Sequence, residues 1–322
     1  MRVAAVQLEA VVADVEANLA ACERLGDAAA AEGAEVIALP EFFSTGIGFV
    51  PALADAALPP DGAATGLLRD LAMRHGALVG GSFLCRDADG EVRNAYLVVR
   101  PDGSVAGRHD KDLPTMWENA FYVGGDDDGV IAVDDDLTVG AAVCWELMRT
   151  QTVRRLRGRV DLVLTGSGWW SVPRTWGPGR LMDRIEVRNA ATARRAAESF
   201  ARFIGAPVVH AAHAGKLACA TPWFPLPYEG HFEGATVICA ADGSVLASRD
   251  WSEGEGFVIA DVEPGREAVA AEPPAGRFWL HRRGVIAAVT WHVQRAHGRR
   301  WYPRHVRGAV SQQDAGAVFH VG

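Results

Sequence analysis

Cys144 ends the apolar run Leu137-Thr138-Val139-Gly140-Ala141-Ala142-Val143 and is followed at once by Trp145 and Glu146, so a thiol stands where a buried strand stops. Two acidic segments and a lysine segment precede it: Leu39-Pro40-Glu41-Phe42-Phe43, then His109-Asp110-Lys111-Asp112-Leu113-Pro114-Thr115, then Glu118. Amide carbonyls and nitrile carbons are poor electrophiles. Opening them takes a strong nucleophile, a base for its proton, and a positive group for the charge that develops on oxygen or nitrogen. Cys144, Glu41 and Lys111 are the types that supply these in turn. A free thiol has a pKa of roughly 8.5, so little of it is thiolate at neutral pH and it needs a base. Glu118 is a second carboxyl that can tune that base and hold the lysine.

Taken singly, each residue has a plain structural reading. A cysteine after an apolar strand is usually a small core residue. Glu41 alone reads as a carboxylate beside a turn, and Lys111 as one charge in a solvated run, Arg108 to Asp112. Their joint occurrence decides otherwise. Leu-Pro-Glu-Phe-Phe, Lys-Asp-Leu-Pro-Thr-Met-Trp-Glu and Cys-Trp-Glu occur in that order, Glu41 and Cys144 each directly follow an apolar run, and together these segments resemble the motifs of the nitrilase superfamily of carbon–nitrogen hydrolases.

The resemblance runs from about residue 2 to about residue 265. Arg2 to Leu8 is similar to the family's first strand, Asp161 to Thr165 followed by Trp169-Trp170 to the segment after the nucleophile, and Ala206 to Gly215 and Gly234 to Ile238 to later strands. Two departures stand out. No proline follows the nucleophile in Cys144-Trp145-Glu146-Leu147-Met148-Arg149-Thr150, and Ala196-Ala197-Glu198-Ser199-Phe200 replaces the usual Arg-Ala-x-Glu-Asn helix end.

The resemblance implies an α/β fold, an α-β-β-α four-layer-type sandwich that commonly pairs through its helices into dimers. It also implies a thiol hydrolase of non-peptide carbon–nitrogen bonds that needs no cofactor and no metal. In that chemistry Cys144 attacks, Glu41 shuttles the proton, and Lys111 with the backbone N–H of Trp145 holds the oxyanion. An amidase releasing ammonia is the leading expectation, with nitrile hydrolysis and N-carbamoyl amino acid hydrolysis as alternatives. A non-catalytic binding protein of the same fold would be favoured by loss of a catalytic residue, and none of the four is lost.

The elements that must position these residues can be read from periodicity and turn signals. Residues 2–8 and 35–39 read as short strands separated by an alanine-rich helix that Asp14 caps and Gly33 closes. Residues 63–75 repeat the helical pattern, and strands follow at 77–84, 92–99 and 104–108, punctuated by Asp89-Gly90 and Asp102-Gly103. Beyond Cys144 come a basic helix at 150–158, a strand at 160–165, a helix near 181–204, a strand at 206–212 and a hairpin turning at Asp242-Gly243. Such alternation makes an α/β layered protein with a mixed sheet. The expected division is residues 1–277 as the hydrolase domain and 278–322 as a C-terminal extension at a subunit interface.

Bulk composition agrees with an enzyme of this kind. The 322 residues, 49% hydrophobic and 22% charged, can bury a large core. A formal net charge of −8 argues against nucleic acid or an anionic membrane as partner. Five cysteines without a pairing pattern suggest free thiols in a reducing compartment. No apolar stretch approaches the roughly 18 residues of a membrane span, and the expected location is cytoplasmic.

Other features invite attention. His210 and His213 lie three apart on an expected strand with no second pair at zinc spacing, so no metal is expected there. Arg154, Arg155, Arg157 and Arg159 read as a solvated face or a subunit contact, and a homodimer or a multiple of it is expected through residues 150–204 and the segment after 278. Gly308 to Gly322 has no clear pattern and is expected to pack on a neighbour or stay mobile. Trp117, Tyr122, Trp145, Trp169 and Trp170 lie close to catalytic motifs, so some of these rings should line a largely apolar pocket, while about half are expected to be core. Arg174 or Arg180 would anchor a substrate carboxylate if the substrate is an N-carbamoyl amino acid.

Overall fold

The computed structural model describes residues 1–222, 225–269, 271–273, 275–278 and 285–307. The first part of the chain runs β1 (Arg2–Leu8), α1 (Val15–Ala31), β2 (Val36–Ala38), α2 (Ala63–His75), β3 (Leu78–Arg86), β4 (Val92–Val99) and β5 (Val105–Asp110). The second runs β6 (Val130–Ala132), β7 (Thr138–Val143), α3 (Thr150–Leu156), β8 (Leu162–Ser167), α4 (Gly179–Ile204) and β9 (Val208–His213). A small ribbon of β10 (Lys216–Cys219) and β11 (Tyr228–His231) follows, then β12 (Gly234–Cys239), β13 (Val245–Asp250), β14 (Gly256–Asp261) and α5 (Val285–His305).

Twelve of these strands form one hydrogen-bonded network that divides into two half-sheets. One is ordered β14-β1-β2-β3-β4-β5 and the other β13-β12-β9-β8-β7-β6. Among the described residues, strand pairing joins them only where the ends of β1 and β9 meet, Gln7 with Ala212 and Leu8 with His213. Away from that seam the half-sheets face each other. Val3, Ala5, Val36, Ala38 and Tyr96 pack there against Val139, Ala141, Leu164, Val209 and Ile238.

Strand periodicity explains the layering. Alternate residues of β1 point to opposite faces, so Val3 and Ala5 enter the space between the half-sheets while Ala4, Val6 and Leu8 pack under the helical layer. Both faces are covered, and the strands accordingly read as near-continuous apolar runs. On the outer side of the first half-sheet, α1 and α2 bury Cys22, Leu25, Leu68 and Leu71. On the outer side of the second, α3 and α4 bury Val153, Leu156, Ala197 and Phe200. The order is therefore α-β-β-α, as the family resemblance implies.

Local signals also behave as expected. Asp14 accepts a hydrogen bond from the Ala17 N–H at 3.0 Å and starts α1. The β12–β13 hairpin turns at Asp242-Gly243.

The C-terminal segment packs within its own chain. Tyr302 donates to Glu91 (2.6 Å) and accepts from the Val92 N–H (2.7 Å). A Cβ at Gly298 would stand 2.7 Å from the Ala120 N, so glycine is what lets α5 lie directly on the turn that carries Glu118. Residues 308–322, for which packing on a neighbour or mobility is expected, lie outside the described residues.

Candidate active site

The four candidate residues come from four separate segments, and the structure brings them into one buried group. Glu41 follows β2, Lys111 follows β5, Glu118 sits in the short turn Met116–Ala120, and Cys144 follows β7. Glu41, Lys111, Glu118 and Cys144 are all buried. Lys111 Nζ donates to Glu41 Oε1 at 2.7 Å and to Glu118 Oε2 at 2.8 Å, a carboxyl–ammonium–carboxyl array. Tyr122, expected near the pocket, also joins this array, its hydroxyl donating to Glu118.

Each carboxyl is held from behind. Glu41 Oε1 also accepts from Asn94 Nδ2 (2.9 Å), its Oε2 accepts from the Gly168 N–H (2.8 Å), and its carbonyl oxygen lies 2.5 Å from His213 Nε2. Glu118 Oε2 accepts from the Thr115 N–H at 2.9 Å. A Cβ at Gly166 would stand 2.4 Å from the Glu41 N, so only glycine in β8 lets the Glu41 segment cross the second half-sheet at this distance.

Backbone strain gathers at the same place. Phe42 (φ +54°), Met116 (φ +50°) and Cys144 (φ +53°) are non-glycine residues in the left-handed region, each next to or within a candidate segment. Such conformations cost on the order of 1–3 kcal/mol each and persist where surrounding contacts over-determine them. At Cys144 the result is a sharp strand-to-turn elbow that aims the thiol at Glu41, with the Trp145 N–H immediately after it.

Electrostatics set the resting state. Burial pushes the Cys144 thiol well above its ordinary pKa, and the charge of Glu41 adds to this against the pull of Lys111. The thiol is therefore protonated until a base takes its proton. Burial alone would lower Lys111, but Glu118 and Glu41 outweigh it and hold the ammonium protonated. Burial raises Glu118 as well, opposed by Lys111.

A second buried network, missed by sequence reasoning, locks the Lys111 segment to the Cys144 elbow. His109 sits between Asp127 (Nδ1 to Oδ1, 2.5 Å) and Glu146 (Nε2 to Oε2, 2.8 Å). Glu146 Oε2 also accepts from the Val143 N–H (2.8 Å), and its Oε1 accepts from Arg155 (3.2 Å) and from the Asp112 N–H (3.2 Å). Arg149 closes the network on Asp112. Arg155 thus turns inward, whereas the sequence places it with Arg154, Arg157 and Arg159 on a solvated or subunit-facing surface. Its only signal in the sequence is position, eleven residues after the nucleophile.

Burial works against a charged His109, yet Glu146 and Asp127 overcome it and push its pKa up to about 10. Because this lies above the unfolded value of roughly 6.5, the stability His109 contributes is complete below that pH and is lost as pH rises toward 10. His109→Asn is accordingly expected to lower the thermal midpoint most near pH 6, with the gap to wild type closing by pH 10. A gap independent of pH would remove the charged pair from the account.

The tryptophans divide. Trp117 is core, packed at a tilt on Trp170 (4.4 Å between centroids) and edge-on to Tyr228. Trp145 and Trp169 stand together beside the elbow (5.9 Å), with Trp291 of α5 against Trp145 at 4.8 Å. Trp169 is fixed by its Nε1–H donating to Asn189 at 3.0 Å. Arg174 and Arg180 are both exposed, and Arg174 pairs with Asp183, so neither belongs to the buried group. His210 and His213 point apart, to Ser167 Oγ (3.0 Å) and to the Glu41 carbonyl. Among the described residues no helix is long and apolar enough to cross a membrane.

Comparison with known proteins gives this geometry its context. In solved structures the fold resembles a carbon–nitrogen hydrolase from Helicobacter pylori G27 (TM-score 0.67, 18% identity, 82% of this chain and 89% of that one). It also resembles the amidase from Nesterenkonia sp. AN1, one form of which carries acrylamide added at its active-site cysteine (TM-score 0.60, 20% identity, 81% and 92%). Among curated proteins the chain is 24% identical to a cyanide hydratase of Armillaria gallica over 83% of its own length and 75% of that relative's. It is 32% identical to the omega-amidase YafV of Yersinia enterocolitica, over 48% of this chain and 58% of that protein. A family model described as carbon-nitrogen hydrolase matches residues 2–271. The chain belongs to the carbon–nitrogen hydrolase family, whose members hydrolyse carbon–nitrogen bonds.

Proposed function

We propose that the protein is a thiol amidase that releases ammonia from a small primary amide. The observation that carries this reading is the array of Glu41, Lys111 and Glu118 beside a protonated, buried Cys144. Glu41 takes the Sγ proton as the thiol attacks the amide carbon, and Lys111 with the Trp145 N–H receives the charge forming on the carbonyl oxygen. Glu41 then gives its proton to the leaving nitrogen, the carbon–nitrogen bond breaks and ammonia departs. Water, deprotonated by Glu41, attacks the thioester carbon, and the acid leaves as the thiol is restored.

The names of an amidase and an omega-amidase among similar proteins favour amides. A cyanide hydratase among them keeps nitriles as the second reading, by the same residues through a thioimidate. Exposure of Arg174 and Arg180 weighs against N-carbamoyl amino acids. Ammonia release measured across primary amides, omega-amides, nitriles and N-carbamoyl amino acids tests the reading. Turnover of amides is expected, and ammonia from nitriles alone would overturn it.

Glu118 has a supporting role in this scheme, holding Lys111 and tuning Glu41. Glu118→Gln is expected to lower kcat less than loss of Glu41 and to move a limb of the pH–rate profile, because it removes one of the two carboxyls that hold the Lys111 ammonium. An unshifted profile at near wild-type rate would take Glu118 out of the site.

The reading includes a homodimer through α4 and the C-terminal segment. Exposed Leu181 and Val187 on α4 and Val289 and Val293 on α5 support such a contact. Light scattering of the working enzyme checks it, and a fully active monomer would refute it.

A further inference from the structure

Behind the Trp169–Trp170 segment lies a cluster that the proposed hydrolysis does not use. Glu186 comes from α4, His231 ends β11, and Glu233 precedes β12. One ligand-type atom from each lies within 4.8 Å of the others. His231 Nε2 is 3.8 Å from Glu186 Oε1 and 4.0 Å from Glu233 Oε2.

Glu233 is the informative member. It is 2% exposed, and its Oε1 accepts from Asn189 while its Oε2, the atom facing His231, has no hydrogen-bond donor among the described residues. Glu186 Oε2 accepts from the Val172 N–H at 2.5 Å, which leaves Oε1 toward the cluster. Neither carboxyl is ion-paired to a lysine or arginine among the described residues, and the neighbouring Arg194 pairs with Asp250 at 3.4 Å. A carboxylate oxygen buried without a donor or a cation is costly, by several kcal/mol for a charged group in the absence of compensation. Two arrangements remove that cost: a proton shared between the facing carboxyls of Glu233 and Glu186, or a cation held between them and His231.

We propose that Glu186, His231 and Glu233 form a site for a divalent first-row transition cation, with zinc as its probe. Two carboxylate oxygens and one imidazole nitrogen are a borderline donor set that suits zinc or manganese better than calcium or magnesium, which prefer oxygen throughout. Ligands at roughly 2.1 Å from a shared tetrahedral ion stand about 3.4 Å apart, so the observed separations need only a small contraction. The ion would be structural. Ser171 N–H donates to the His231 carbonyl (2.8 Å), Glu233 N–H donates to the Trp169 carbonyl (2.8 Å), and Asn189 Nδ2 donates to the Trp170 carbonyl (3.2 Å). Joining Glu186 to His231 and Glu233 therefore pins α4 to the segment that carries both tryptophans.

Full-length protein stripped with a chelator and dialysed against zinc chloride, with bound metal read by elemental analysis, tests this directly. Wild type is expected to bind one equivalent that Glu233→Gln loses, with at least a 10-fold weaker affinity. Its thermal midpoint should climb with zinc concentration by mass action, and this rise should be absent in Glu233→Gln. Glu186→Gln and His231→Ala, at partly exposed positions, give the same comparison if the buried variant folds poorly. Manganese binding followed by paramagnetic resonance reads the site without any activity assay. Equal zinc stoichiometry and affinity in wild type and all variants would overturn the site. So would a wild type insensitive to millimolar zinc alongside a more stable Glu233→Gln, the result expected if the two carboxyls merely share a proton.

Discussion

Cys144→Ala is expected to abolish amide turnover while leaving the fold intact. The thiol is the nucleophile that the scheme cannot replace, and water has no comparable reactivity toward an amide. Structural cost should be small, because alanine keeps the Cβ that the elbow already holds at φ +53° and only the sulfur is lost from a packed site. The other cysteines are poor candidates for the role. Burial pushes Cys85 and Cys239 up to about 12, Cys219 up to about 11 and Cys22 higher still, as it also raises Cys144, and what separates them is that none has the Glu41–Lys111 pair beside it. Alanine at any of these four should leave turnover largely unchanged. Intact-protein mass spectrometry after rapid quench should find an acyl adduct on Cys144 alone. An adduct elsewhere, or full activity in the alanine variant, sinks the mechanism.

Glu41→Gln should cost on the order of 10² to 10⁴ in rate, the usual contribution of a positioned acid–base group. The amide fits the same space but has only one oxygen. If that oxygen keeps Lys111 and Asn94, the new NH₂ faces the Gly168 N–H, donor against donor. A second readout separates loss of the base from loss of structure. Because the charge of Glu41 adds to burial in raising the Cys144 thiol, neutralising it should lower the pH at which Cys144 is alkylated even as turnover collapses. A variant with an unmoved alkylation profile and near wild-type kcat would place the base elsewhere.

Glu41, Lys111, Glu118 and Cys144 are legible in the amino-acid sequence because each sits in a short motif at the end of, or just beyond, an apolar run. Strand ends are where an α/β sheet presents chemistry. The strands and helices are legible for a related reason. Alternation and helical spacing are local patterns, written in neighbouring residues, and Ala63–His75 and Val92–Val99 can be bounded from them alone.

What only the tertiary structure decides are the pairings between distant charges. His109, Asp127, Glu146 and Arg155 each read singly as a solvated or loop residue, since nothing local distinguishes a buried charge with a partner from an exposed one without. The same holds for Glu186, His231 and Glu233, which converge from a helix, a ribbon and a strand edge. Trp117 lies in the lysine motif and Tyr122 four residues past its end, yet Tyr122 reaches the carboxyl of Glu118 while Trp117 packs on Trp170. Side-chain direction, not proximity in sequence, separates them, and that direction is set only when distant segments pack on the turn, Tyr228 against Trp117 and Phe42 against Tyr122.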